Sequence, residues 1–161
     1  MTSHGHIFQI NASQGGVPKH PVREALVTTL GLSADRVAHP KTHGGPERAL
    51  CLFSLERILM LQAEGHPIYP GSVGENLTLA GIDWAEFVPG AQLRLGRHVL
   101  VELTRYTTPC ATIVESFADR DSDRILQAKH PAWSRVYAKV LQPGVIRIGD
   151  KIGWHQVSDS S

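Results

Sequence analysis

Glycine and proline divide the sequence into short apolar segments, and this division restricts the folds open to the chain. Fifteen glycines and ten prolines are spread along it. Between them lie β-favouring runs, such as residues 5–11, 49–53 and 99–104, whose apolar residues alternate or are continuous. Many short strands beside one strong helix favour a β-barrel over a sheet built from βαβ units. We therefore predict a mainly β domain with a few short helices, closed into a barrel.

Further strands are predicted over residues 22–30, 75–79, 91–95, 136–141, 145–148 and 151–154. One helix is strongly indicated, because Ser54 offers an N-cap and Glu56 places negative charge in the first turn. Gly65 supplies its stop. Weaker helical patterns cover residues 111–117, 121–128 and 131–135. The continuous apolar run around Cys51 suits a strand buried on both faces, so we expect this cysteine to lie in the core.

The length of the chain and its charge limit the number of domains and the classes of partner that we expect. Its 161 residues suit a single domain over residues 1–161, with a core at about residues 7–154. Sixteen Lys and Arg residues stand against fifteen Asp and Glu, with no basic stripe, so we do not expect a nucleic-acid partner. No apolar span approaches about 18 residues, which argues against a membrane protein.

Two cysteines, Cys51 and Cys110, occur without a C-x-x-C motif or a signal-like N-terminus, which indicates a reduced, cytoplasmic protein with free thiols. Cys110 follows Pro109, at the point where a strand pattern stops and a helix-compatible one begins. Free N–H groups and the dipole at a helix start favour a thiolate, which binds metals or attacks electrophiles. The alternative is that Cys110 is a small buried apolar side chain.

Polar segments rich in glycine occur at residues 41–48 (KTHGGPER) and 70–77 (PGSVGENL). Successive N–H groups in such turns can form an anion-binding nest. Neither segment is a P-loop or a dinucleotide fingerprint, and each taken alone is typical of an ordinary turn. No paired Cys or His spacing predicts a zinc site, and no flavin or iron–sulfur motif is present.

The order and spacing of five segments are more specific than any one of them. They are INASQGGVPK at 10–19, HGGPERA at 43–49, GSVGENL at 71–77, TRYTTPC at 104–110 and YAKVLQPGVIRIGD at 137–150. Together they resemble the MOSC domain family, which is shared with the C-terminal part of molybdenum cofactor sulfurases. The chain is most similar to the stand-alone bacterial members of the YiiM-like branch, from about residue 7 to residue 154.

The resemblance implies a MOSC-type β-barrel that binds the molybdenum cofactor in its molybdopterin form or handles its sulfur. Cys110 would be the metal ligand or the sulfur carrier. The implied activities are reduction of N-hydroxylated compounds, and transfer of sulfur to the cofactor or delivery of it. Because the chain has no redox motif of its own, electrons would come from a separate donor protein.

We expect three loops, around His43, Glu75 and Cys110, to build the site at one mouth of the barrel. His43 would donate a hydrogen bond to an oxo or substrate group, and Glu75 would orient a loop or a pterin ring nitrogen. Structural roles in their own loops are the alternatives for both. Many relatives carry a Pro-Arg pair where residues 106–107 are Tyr-Thr here, so another cation would hold the pterin phosphate. The candidate cations are Lys19, Arg48 and Arg105, and the further cofactor contacts are Gly44, Gly45, Gly74, Asn76 and Thr108.

Two other classes of function remain open. In a cysteine hydrolase or transferase, Cys110 would be the nucleophile, His43 the base and Glu75 its orienter, since such residues need only meet in space. A binding module without catalysis would instead deliver or sense an anionic ligand.

Cys110 should be alkylated faster than Cys51 near neutral pH. The first lies in a polar turn at a predicted helix start, whereas burial in the apolar run ALCLF should keep the second protonated and shielded. Brief iodoacetamide treatment followed by peptide mapping measures the order. Preferential labelling of Cys51 would mean that the predicted placement of the strand and the loop is wrong.

Overall fold

The computed structural model describes residues 5–13, 15–35 and 45–156. Within these ranges the chain forms eleven strands, one α-helix and four short 3₁₀ helices, which confirms the prediction of a mainly β protein with few helices. The strands are β1 His6–Ala12, β2 His20–Val22, β3 Glu24–Thr28, β4 Gly31–Leu32, β5 Leu50–Ser54, β6 Leu77–Ala80, β7 Gln92–Leu95, β8 Val99–Tyr106, β9 Val136–Gln142, β10 Gly144–Arg147 and β11 Ile152–His155. The helix α1 is Leu55–Ala63, and the 3₁₀ helices are Pro46–Arg48, Trp84–Glu86, Ala111–Ser116 and Ser122–Ile125.

Eight strands form one sheet in the order β11-β7-β8-β9-β5-β6-β1-β2, and β10-β3-β4 form a second. An isolated bridge between His6 and Lys151 adjoins the start of β1, where the N–H of Ile7 donates to the carbonyl of Asp150 at 2.9 Å. The paired strands do not close into a continuous ring. The fold is therefore mainly β, and closure into a barrel stays a prediction.

Strand β5 lies inside the large sheet, between β9 and β6. All five of its residues are buried. Leu52 pairs with Val136 on the antiparallel side and with Leu77 on the parallel side. The prediction of a strand buried on both faces is confirmed, because a continuous apolar run has no polar face to turn towards water.

Helix α1 follows β5 directly and begins where its sequence signals predict. The hydroxyl of Ser54 accepts a hydrogen bond from the N–H of Arg57 at 3.1 Å, and Ile58 and Leu61 are buried. The helix is the crossover between the parallel strands β5 and β6. It thereby returns the chain so that residues 70–76 run beside β5 and β1.

Three of the predicted elements differ from the structure. The helix predicted over residues 131–135 is wrong, because Ala132 has φ of 69°, a left-handed conformation that a helix does not contain. The predicted helices at 111–117 and 121–128 are the short 3₁₀ helices Ala111–Ser116 and Ser122–Ile125, each with a single buried apolar side chain. No helix in the described ranges is long and apolar enough to cross a membrane.

Leu52→Ala should lower the free energy of unfolding by about 2–5 kcal/mol, because it leaves a cavity at a side chain with no exposed surface. Leu59→Ala is the matched control, since Leu59 on α1 is 51% exposed and its truncation should cost about 0.5 kcal/mol or less. Urea unfolding followed by circular dichroism measures both. Equal losses in the two variants would contradict the central position of β5.

Candidate functional site

A cavity of about 410 Å³ lies where several loops and strand ends meet. This volume falls within the range of small-molecule sites, about 300–1,000 Å³. Its described lining comes from residues 16–19, 30–35, 48–51, 73–76, 108–113 and 135–137. Segments far apart in the sequence therefore share one cavity wall.

The cavity brings together most of the site residues predicted from the sequence. Those that line it are Lys19, Arg48, Gly74, Asn76, Thr108 and Cys110. Gly45 and Arg105 are exposed and Glu75 is buried, and none of these three is part of the lining. His43 and Gly44 lie outside the described residues. The expected meeting of the Cys110 turn with the loop that contains Glu75 is observed, although through Gly74 and Asn76.

Cys110 is a free thiol on the cavity wall, directly before the 3₁₀ helix Ala111–Ser116. It is partly exposed, and its Sγ lies 2.8 Å from Oγ1 of Thr112. Six residues of 3₁₀ helix align fewer peptide dipoles than the expected α-helix. The hydroxyl of Thr112, rather than a long helix dipole, is thus the main polar neighbour of this thiol.

Cys51 also lines the cavity, but its environment is different. Its residue is 7% exposed, and burial raises the pKa of the thiol to about 11, with the positive charge of Arg135 acting in the opposite direction. At neutral pH Cys51 is therefore a protonated thiol. This difference in burial agrees with the expected order of alkylation of the two cysteines.

A buried polar cluster joins the loops behind the cavity. Asn76 donates from its backbone N–H to the carbonyl of Cys51 at 2.7 Å and from Nδ2 to Asp35 Oδ2 at 2.9 Å. Asp35 Oδ1 accepts from Lys19 Nζ at 2.7 Å and from the N–H of Ser13 at 2.9 Å. The side chains of Lys19 and Asp35 are only 9% and 7% exposed. Lys19, a predicted cofactor cation, thus has its charge balanced within the protein.

Arg135 is a cavity residue that the sequence did not indicate. It is 7% exposed, and its Nη1 donates to the carbonyl of Val73 at 2.7 Å, whereas Nε has no hydrogen-bond partner in the part of the chain that the structure describes. Within the described ranges it forms no ion pair with a carboxylate. The sequence placed it at the end of a helix over residues 131–135, where a solvated charge is expected. Its one available signal was its position immediately before the apolar strand β9.

Tyr137 is another lining residue without a predicted role, although it lies in one of the motifs that carry the resemblance. It pairs with Cys51 across β9 and β5. Burial raises the pKa of its phenol to about 12, with Cys51 acting in the same direction and Arg135 and Arg48 in the opposite one. The guanidinium of Arg48 lies 5.8 Å from the centre of the ring. At neutral pH Tyr137 is therefore an uncharged phenol beside two cations.

Glu75 lies behind the cavity wall that its neighbours Gly74 and Asn76 form. It has no exposed surface, Oε2 accepts a hydrogen bond from Thr78 Oγ1 at 3.0 Å, and no described donor lies in good hydrogen-bond geometry to Oε1. Burial raises the pKa of this carboxyl to about 7, although the backbone of Gly71, its own backbone and Thr78 act in the opposite direction. The side chain is buried too deeply to orient a ligand directly.

The chain is similar to known proteins over most of its length. It is 26% identical to the uncharacterized protein YflK of Bacillus subtilis over 136 residues, which are 83% of this chain and 60% of YflK. It is 31% identical to the protein YiiM of Escherichia coli over 108 residues, which are 65% of this chain and 48% of YiiM. The chain thus spans about half to 60% of the length of these two relatives.

The structure and the family model agree with these matches. The crystal structure of YiiM from Geobacillus stearothermophilus shares the fold, with a TM-score of 0.72 at 23% identity over 97% of this chain and 77% of that one. The MOSC domain model matches residues 39–153, well over half of the sequence. The chain belongs to the MOSC domain family.

Proposed function

We propose that the cavity binds the molybdenum cofactor in its molybdopterin form, with Cys110 as the protein ligand of the metal. The observation that carries this proposal is the position of Cys110, the thiol of the TRYTTPC motif, partly exposed on the wall of a 410 Å³ cavity. The chain's membership of the MOSC domain family supports it. The bound cofactor would supply the redox chemistry, and the protein would supply binding, orientation and electrostatics.

The donor set of the cavity fits a metal that arrives already chelated. In the described part of the chain, no group of three or more His, Cys, Asp and Glu side chains is arranged to hold a metal ion. A pterin dithiolene brings its own sulfur ligands, so that one protein thiolate is a sufficient addition. The soft sulfur of Cys110 suits this role, whereas the thiol of Cys51 stays protonated.

Glycines allow the backbone to form the cavity wall at close range. Gly71 has φ of 90°, and a Cβ added there would lie 2.5 Å from the carbonyl oxygen of Lys19. Gly74 has φ of 82°, and its added Cβ would lie 2.9 Å from Val17. Both conformations are strained for other residues. The two glycines thus let residues 71–74 pack closely against Val17 and Lys19, which line the cavity.

Positive charge on the wall favours an anionic group of the ligand. Arg135 and Arg48 both line the cavity, whereas Lys19 is paired with Asp35 and Arg105 is exposed outside the lining. Arg135 is thus the strongest candidate for the role predicted for Lys19, Arg48 or Arg105, which is to bind the pterin phosphate. Tyr137 adds an uncharged hydroxyl beside these cations.

The proposal includes a partner and an activity. We propose reduction of N-hydroxylated compounds, with electrons from a separate protein in the cytoplasm. Transfer or delivery of the cofactor's sulfur is the alternative use of the same thiol. The MOSC-type barrel remains part of the proposal, with the contact between His6 and Lys151 as its closing seam.

A cysteine hydrolase has less support from the contacts of Cys110. Among the described lining residues there is no histidine, and the polar partner of Sγ is the hydroxyl of Thr112. The proposed base, His43, lies outside the described residues. A binding module without catalysis would differ from the reductase only in lacking redox activity when the metal is loaded.

Protein made in a molybdenum-replete host that synthesises the cofactor should carry substoichiometric molybdenum, and Cys110→Ser should lose it. A serine hydroxyl is a much poorer ligand for this metal than a thiolate. Elemental analysis of the purified proteins measures the content. Cys51→Ala is the matched control, because it removes the protonated thiol and should retain molybdenum.

Equal molybdenum in the wild-type protein and Cys110→Ser would refute the metal-ligand role. Thermal unfolding of all three proteins shows whether a loss reflects the thiol or the fold. If folded Cys51→Ala lost its molybdenum and Cys110→Ser kept it, Cys51 and not Cys110 would be the metal ligand.

A further inference from the structure

Two buried ionisable side chains beside the cavity each retain a polar atom that has no hydrogen-bond partner among the described residues. They are Glu75, through Oε1, and Arg135, through Nε. Natural proteins pair nearly all such atoms, because an unpaired buried polar group costs free energy. The two groups act on each other, since the charge of Arg135 lowers the pKa of Glu75 against the effect of burial.

The charge of Arg135 is exceptional in this part of the fold. Lys19, the neighbouring buried cation, is bound by both carboxylate oxygens of Asp35 at 2.7 and 2.8 Å. Within the described ranges, the guanidinium of Arg135 has one hydrogen bond, to the carbonyl of Val73, and no carboxylate partner. Its guanidinium has five N–H donors, and its residue lines the cavity. An oxyanion in the cavity would offset the cost of burying this cation.

Burial is the main influence on the ionisation of Glu75, and the charge of Arg135 is one of the groups that favour its ionised form. The groups near it are the hydroxyl of Thr78, the guanidinium of Arg135 and the thiol of Cys51, whose pKa Glu75 raises. The ion pair of Lys19 and Asp35 lies beyond Asn76 and is balanced. Arg135 is therefore the main unbalanced positive charge available to an ionised Glu75.

We propose that Arg135 binds an oxyanion in the cavity and that Glu75 takes up a proton when the oxyanion binds. The anion neutralises the charge that stabilises ionised Glu75, so the bound state holds the proton more tightly than the free state. This inference rests on the same cavity as the proposed function, but neither molybdenum nor Cys110 enters its test.

The sign of the pH dependence follows from this linkage. A group that binds protons more tightly in the complex makes the ligand bind better at low pH. The gain is full below the pKa of the free state and is lost as the pH rises through the higher pKa of the complex. For Glu75 the pKa of the free state is about 7. If binding raises it by about one unit, the affinity should be about fivefold higher at pH 6 than at pH 8.

Sulfate is the probe, because it stays fully ionised throughout this range and contains no metal. Calorimetric titration of the purified full chain should give saturable binding that is tighter at pH 6 than at pH 8. Arg135→Gln should weaken binding about tenfold or more through loss of the charged donors. Arg97→Gln is the matched control, since Arg97 is exposed outside the cavity and its loss should leave sulfate affinity nearly unchanged.

Glu75→Gln separates the proton uptake from the titration of histidines elsewhere in the chain. It keeps the size of the side chain and should bind sulfate as well at pH 8 as at pH 6. For the wild-type protein, repeating the titration at pH 7 in buffers of different ionisation enthalpy measures protons taken up directly, so the coupling can be tested even if the variant does not fold. Arg135→Lys, which keeps the charge, provides the second variant at that position and should bind more tightly than Arg135→Gln.

The absence of saturable sulfate binding, or equal affinity of folded Arg135→Gln and wild type, would overturn the oxyanion site. Binding without proton uptake would overturn the role of Glu75. Cys110→Ser should still bind sulfate, so failure of the metal-ligand role is distinguishable from failure of this proposal. In cofactor-loaded protein, loss of sulfate binding would assign the site to the cofactor phosphate, and retained binding would assign it to a substrate oxyanion.

Discussion

Asn76 makes the contacts on which the geometry of the cavity depends. Its backbone N–H donates to the carbonyl of Cys51 at 2.7 Å, and its Oδ1 accepts from the N–H of Cys51 at 2.8 Å. Its carbonyl accepts from the N–H of Asn11 at 2.7 Å, and its Nδ2 donates to Asp35. One buried residue thereby links β5, β1 and the segment that carries Asp35. Asn76 is 5% exposed, and breaking its buried bonds to Cys51 would leave polar groups unpaired, so these bonds hold the loops around the cavity in place.

The two cysteines and two of the cations on the cavity wall differ in what their surroundings leave available. Cys51 pairs within the sheet and is kept protonated by burial, whereas Cys110 stands on a turn with partial exposure. Lys19 forms an ion pair with Asp35 and so stabilises the fold, whereas Arg135 retains N–H donors that no described side chain accepts from. The chemistry open to the cavity therefore depends on Cys110 and Arg135, which remain available to a ligand, and not on the total number of cysteines and cations in the chain.

The sequence predicted the features that depend on neighbouring residues, and it missed those that depend on contacts between residues far apart in the chain. Strand β5 and helix α1 were predictable, since an apolar run and an N-cap are local signals. The position of Cys110 on a cavity was also predictable, because the motif at 104–110 carries it. The ion pair of Lys19 with Asp35 joins residues 16 apart, and no local pattern indicates it. Arg135 was missed because the left-handed Ala132 breaks the expected helix and leads the chain directly into the interior. For the same reason, the sequence indicated that Glu75 belongs to the site, whereas only its neighbours Gly74 and Asn76 line the cavity.

The positions of the charged residues also favour one orientation of a ligand in the cavity. Tyr137 lines the cavity together with Arg135, Arg48 and both cysteines, and after burial these four groups influence the pKa of its phenol. In a chain with a formal charge of only +1, the positive potential at this wall comes from these local arginines and not from an overall field. A ligand with a metal at one end and an anionic group at the other can satisfy Cys110 and Arg135 in a single orientation. Reversing it would put the anion against the sulfur of Cys110 and leave a buried cation without a counter-charge, which is the costlier state. The arginines would thus orient the anionic group of the ligand, and the thiol of Cys110 would hold its metal.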